Sequence, residues 1–139
     1  AHLMAIGEAV APHGLVTVAG LAQLVPFVPT FEFVLPGAAN DPSVPDMVAL
    51  GPWDGFGFSL GNEGDEVILQ DAAGAAVDVV VYGLGSYPGV YPFVQDVSAG
   101  HSIQRNPPER DTGYCNADFA DTAVPTPGQF PEGYHQCRR

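Results

Sequence analysis

The most regular alternation of apolar and polar positions lies between residues 65 and 82. Glu66-Val67-Ile68-Leu69-Gln70 and Ala75-Ala76-Val77-Asp78-Val79-Val80-Val81-Tyr82 are rich in β-branched residues, which suit the pleated surface of a sheet. Between them, Asp71-Ala72-Ala73-Gly74 has the composition of a type I turn, with Gly74 free to take a positive φ. The pattern predicts an antiparallel β-hairpin. Period-two alternation puts Val77, Val79 and Val81 on one face and Val67 with Leu69 on one face of the partner strand, making these five the expected core. Ile68 and Val80 point the other way, so the hairpin is expected to be partly covered on both sides or to pack against a partner.

Elsewhere the elements are shorter. Leu15-Val16-Thr17-Val18-Ala19 follows a Pro-His-Gly turn and reads as a strand. Phe31-Glu32-Phe33-Val34-Leu35, bounded by Pro29 and Pro36, suits an edge strand. Residues 37–52 carry the Pro, Asn, Asp and Ser content of a long surface loop. A strand is expected over His101–Arg105, after an irregular stretch from Leu84 to Gly100. With 17 Gly and 14 Pro scattered through 139 residues, the chain is punctuated too often for long helices. Several short strands with turn signals throughout indicate an all-β fold, an antiparallel β-sandwich.

Charge narrows the partners. Sixteen acids face four bases, all Arg, at positions 105, 110, 138 and 139, for a formal net charge of −12. A phosphate backbone or an anionic lipid surface would be repelled by most of this chain, so nucleic-acid binding is not expected. No apolar run approaches the length of a membrane span, so membrane insertion is not expected either. The length suits one domain. Ala1-His2-Leu3-Met4 reads as a tag remnant, residues 5–130 as the sandwich and residues 131–139 as a C-terminal tail. Cys115 and Cys137 have a spacing that suits one disulfide and lack the CxxC pairs of a zinc site. Acidity, absent Lys and that cystine lean towards export, and two unpaired thiols in a cytosolic protein are the alternative.

Catalytic patterns are weak. Gly57-Phe58-Ser59-Leu60-Gly61 matches G-x-S-x-G, but a nucleophile elbow needs a helix after the serine, and here Asn62-Glu63-Gly64-Asp65 is a turn leading into a strand. His2, His13, His101 and His135 form no metal-ligand cluster. Glu63, Asp65 and Glu66 gather at one turn, and Glu109, Asp111, Asp118 and Asp121 with Asn116 in the later loops. Neither set has the spacing of an EF-hand, and capping or solvated carboxylates are the ordinary reading. No phosphate-cradling glycine loop exists. No catalytic residue, metal site or cofactor is therefore assigned. Trp53, Phe56 and Phe58 read as core. Tyr87, Tyr91 and Phe93, concentrated in an irregular stretch, are the candidate contact residues for protein or carbohydrate.

Four stretches in order carry a family resemblance: Ser59–Leu69, Asp71–Gly83, Gly100-His101-Ser102-Ile103-Gln104-Arg105, and Asp111-Thr112 with Ala117-Asp118-Phe119, ending in Pro125-Thr126-Pro127-Gly128. Together with Ala9–Ala19 they resemble the lamin tail domain family in its bacterial, usually exported form. The resemblance covers residues 8–19 and 56–128. It implies an immunoglobulin-like β-sandwich acting as a non-catalytic interaction module of a larger exported or surface protein, located outside the cell or on its surface. A protein partner is the expected ligand, and the alternative is a carbohydrate-binding accessory domain of a secreted hydrolase. The family's opening strands, with a Trp-Val-Glu-Leu-like stretch and a following Gly-Trp, have no counterpart here. Either residues 20–52 supply strands in their place or a second copy does so. Pro26, Pro29, Pro36, Pro42 and Pro45 make residues 24–45 a poor central strand, so a homodimer is the expected outcome.

Overall fold

A computed structural model of the chain describes residues 4–5, 14–20, 22–33, 40–50 and 60–130. Where one domain is expected over residues 5–130, the described residues fall into two compact units. One is Leu60–Pro125, and the other comprises the described residues on either side of it in sequence. Helix among the described residues is limited to one turn, α1 (Cys115–Asp118), and a 3-10 turn at Ala22–Leu24. The fold is all-β, built from small two-stranded sheets. No described helix is long and apolar enough to cross a membrane.

In the unit that flanks Leu60–Pro125 in sequence, β1 (Met4–Ala5) pairs antiparallel with β4 (Val48–Ala49). β2 (Val18–Ala19) pairs in parallel with β3 (Phe31–Glu32). Residues 37–52 are thus not a loop throughout, because β4 lies within them. Glu32 is fully buried. Its carboxylate accepts the backbone N–H of Ala22 at 2.6 Å and of Asp41 at 3.0 Å. A buried carboxylate needs such donors, and this one ties two connecting segments to β3.

The hairpin forms as expected. β5 (Gly64–Gln70) and β6 (Ala76–Gly83) run antiparallel. Gly74 takes φ +83°, its N–H donates to the Asp71 carbonyl, and Asp71 Oδ1 accepts the N–H groups of Ala73 and Ala75. Pairing joins Val67 to Val80, Ile68 to Val79 and Glu66 to Val81, with an irregularity at Leu69/Gln70 that leaves Val77 unmatched. A bulge of this kind shifts the face presented by the residues beyond it.

That register corrects the expected core. Val81 is fully buried and Val79 half-buried, whereas Val67 (45% exposed), Leu69 (58%) and Val77 (60%) are open. Directly opposed residues in an antiparallel pair share a face, so Ile68 belongs with Val79 and Val67 with Val80. Treating the hairpin as an unbroken alternation from turn to end put Val67 and Leu69 in the core. In fact the packed face is the one with Val79 and Val81, and the Val67–Leu69 face stands open.

The packed face meets a second ladder, β7 (Ser102–Arg105) paired antiparallel with β8 (Phe119–Thr122). Val81, Phe93 and Cys115 are the buried centre, with Val79, Tyr82, Tyr87, Val90, Ile103 and Phe119 against them. Cys115 is a free thiol in this core. The expected Cys115–Cys137 disulfide is corrected to that extent: the Cys115 side chain serves as a small apolar core group, and Cys137 lies outside the described residues.

Candidate binding surface

The three contact residues expected from sequence are separated by the fold. Phe93 is buried: its N–H donates to the Val81 carbonyl and its own carbonyl accepts the Gly83 N–H, which lays it along β6 with the ring in the core. It is a packing residue and not a contact residue. Tyr87 is half-buried against the same core and forms a tight turn with Val90, whose N–H donates to the Tyr87 carbonyl. Tyr91 alone of the three is exposed, at 57%.

Its partner is a residue that sequence reading passed over. Tyr91 and Tyr114 form a parallel bridge: the Tyr91 N–H donates to the Gly113 carbonyl at 2.7 Å, and the Cys115 N–H donates to the Tyr91 carbonyl at 2.8 Å. Neighbouring strands lie ~4.8 Å apart, close to ring-stacking distance. The rings accordingly stack with centroids 4.5 Å apart and planes 8° from parallel. Tyr114 is 53% exposed, so the pair is a stacked aromatic platform open to solvent. The pairing spans 23 positions of sequence, and nothing local to Tyr114 announces it.

The platform is held from below by Asp118, which is buried. Its carboxylate accepts the Thr112 backbone N–H and the Thr112 hydroxyl, each at 2.8 Å, and lies 3.4 Å from the Arg110 Nε. The Tyr114 N–H donates in turn to Thr112 Oγ1 at 3.3 Å, and the Asp118 N–H donates to the Tyr114 carbonyl. Desolvation pushes the Asp118 carboxyl up, but the two Thr112 hydrogen bonds and then the charges of Arg110 and Arg105 outweigh it, and its pKa lies below the ordinary aspartate value. Asp118 is therefore an ionised anchor for the loop that carries Tyr114.

Asp78 and Asp121 are also engaged by basic side chains. Arg105 bonds Asp78 and lies 3.8 Å from Asp111, with its guanidinium 4.9 Å from the centre of the Phe119 ring. His101 Nδ1 sits 2.9 Å from both oxygens of Asp121 across the β7–β8 ladder. Among the described residues no three His, Cys, Asp or Glu side chains are grouped to hold a metal ion. Gly61 closes the turn into β5, its N–H bonded to Asp65 and its carbonyl accepting the Tyr82 hydroxyl. The chain thus enters a strand three residues after Gly61, as the sequence implies. Ser59, Trp53, Phe56, Phe58, His2, His13 and His135 lie outside the described residues.

Comparison of the chain with protein-family models, with curated proteins and with solved structures finds no match.

Proposed function

We propose that this chain is a non-catalytic interaction module, an immunoglobulin-like β-sandwich of the lamin-tail kind belonging to a larger exported or surface protein, and that it binds a protein partner. The sandwich reading is supported by two antiparallel ladders, β5–β6 and β7–β8, that each contribute to one core, where Ile103 and Phe119 pack against Val81. The binding reading rests on the exposed Tyr91–Tyr114 stack. Tyrosines supply large contact area at low cost in conformational entropy and are enriched where proteins meet.

The test uses the intact chain as bait against surface and secreted proteins of its host, beside a glycan array, with a Tyr91→Ala/Tyr114→Ala variant as comparison. A protein captured by the wild type and released by the variant supports this function. Glycan binding that the variant loses, with no protein captured, overturns it in favour of carbohydrate.

A further inference from the structure

We propose that the Tyr91–Tyr114 platform selects a cationic side chain, arginine or lysine, on its protein partner. The proposal rests on the reading of that pair as the contact surface and adds the chemistry it recognises. A tyrosine ring presents a negative face to solvent, and a guanidinium or ammonium over that face is attracted to it. The stack leaves each ring a face that is not turned to the other.

The surrounding charge decides between a cation and a neutral ligand. Within Leu60–Pro125 there are ten carboxylates and two arginines. Each arginine is engaged by a carboxylate of this unit, Arg105 by Asp78 and Arg110 by Asp118. Arg105 is largely covered, and the charge of Arg110, which stays 45% exposed, is offset by the Asp118 carboxylate 3.4 Å away. Asp111, exposed and three positions before Tyr114, accepts the Gly113 N–H, and the Gly113 carbonyl in turn holds Tyr91. A carboxylate thus belongs to the same loop as the stack, shared only at 3.8 Å with Arg105. Acidic proteins concentrate cations at their surface, and an aromatic face then fixes where they rest.

The experiment titrates the whole chain with an Arg-Gly-Arg-Gly peptide and with its neutral citrulline counterpart, reading affinity by calorimetry for the wild type and each variant and, in the wild type, the ring signals of Tyr91 and Tyr114 by NMR. Two variants keep the charge and change the rings: Tyr91→Leu/Tyr114→Leu and Tyr91→Phe/Tyr114→Phe. Both positions are exposed, and circular dichroism checks that the fold is kept. The expected result is binding of the arginine peptide that the leucine variant weakens about fivefold and the phenylalanine variant retains, with the citrulline peptide leaving the rings unmoved. Equal response to the two peptides overturns the proposal, as does a leucine variant that binds the arginine peptide like the wild type. Should a captured partner still be lost on Tyr91→Ala/Tyr114→Ala while the arginine peptide fails, the cation is refuted and the protein-binding function stands.

Discussion

One terminal nitrogen of Arg105 lies 2.7 and 3.0 Å from the two carboxylate oxygens of Asp78, and this contact ties β7 to β6. The same guanidinium donates to the Arg110 carbonyl at 3.0 Å and covers the Phe119 ring. It therefore joins β6, the turn at Arg110 and the Phe119 ring of β8. Because Asp78 is partly open to water, the ion pair itself is screened, and the larger loss on truncation comes from the unpaired groups left behind. Arg105→Ala is expected to cost about 2 kcal/mol in urea unfolding, and a double-mutant cycle with Asp78→Asn to show coupling of about 1 kcal/mol. Lysine at position 105 recovers only part, since it lacks the planar fork.

Val81 and Val77 lie on the same strand and differ entirely in burial. Val81→Ala is expected to destabilise by about 2 kcal/mol through lost burial and an unfilled cavity. Val77→Ala, at the bulge, should stay within about 0.5 kcal/mol. Equal losses at the two positions would show that the bulge does not govern which face packs.

This contrast also measures what the sequence could disclose. The hairpin, its turn and Gly74 were legible because they rest on local chemistry: β-branched runs, an aspartate that bonds its own turn, and a glycine at positive φ. The packed face was not, because a one-residue bulge reverses the alternation and leaves no compositional mark. The Tyr91–Tyr114 stack and the buried Glu32 escaped for a related reason. Each depends on partners brought together by tertiary folding: Glu32, expected on an edge strand, is bridged to Ala19 on one side and Asp46 on the other, and neither that glutamate nor a tyrosine beside a turn looks different in sequence when such partners exist. Aromatic density alone picks out both Tyr91, which is exposed, and Phe93, which is buried.

Gly83 stands opposite Gly64 at the end of the hairpin, with φ +55° and no room for a side chain: a Cβ there would meet the Glu63 carbonyl. Gly74 also has positive φ, but open space surrounds it. Alanine at 74 bears only the backbone penalty, about 1 kcal/mol. Alanine at 83 adds a clash with backbone and is expected to cost more than about 2 kcal/mol. Thermal unfolding of the two variants side by side measures the difference.

Asp118 sets a pH dependence of known sign. Its folded-state pKa is depressed below the unfolded value of about 3.9, so the native state releases the proton more readily than the unfolded chain. The resulting stability is fully present above that value and is lost as pH falls through the folded pKa. Asp118→Asn removes this term. Its stability should therefore fall less steeply than that of the wild type below about pH 4, while the two curves run parallel from there to neutrality. Urea midpoints taken at intervals of pH test it, and parallel acid limbs would exclude Asp118 as a contributor.

The open Val67–Leu69 face of the hairpin gives a prediction about self-association whose salt dependence runs opposite to that of the tyrosine platform. Two apolar side chains and half-buried Val80 lie together there, and burying them against a second copy would be favourable. Two chains each carrying −12 repel, and that repulsion is screened over ~10 Å at 0.1 M salt. The homodimer expected from the unpaired sheets should therefore strengthen as salt is added, whereas an arginine peptide on Tyr91 and Tyr114 should be released. The outward N–H groups of Glu66 and Val79 are taken by the Asp65 and Asp78 carboxylates, which blunts continuous edge pairing and leaves the apolar face as the surface that associates. Light scattering across concentration and salt, repeated on Leu69→Lys, is the measurement. A dimer fraction that rises with salt and disappears in the variant is the expected outcome, and a monomer mass at every salt concentration would remove the second copy from consideration.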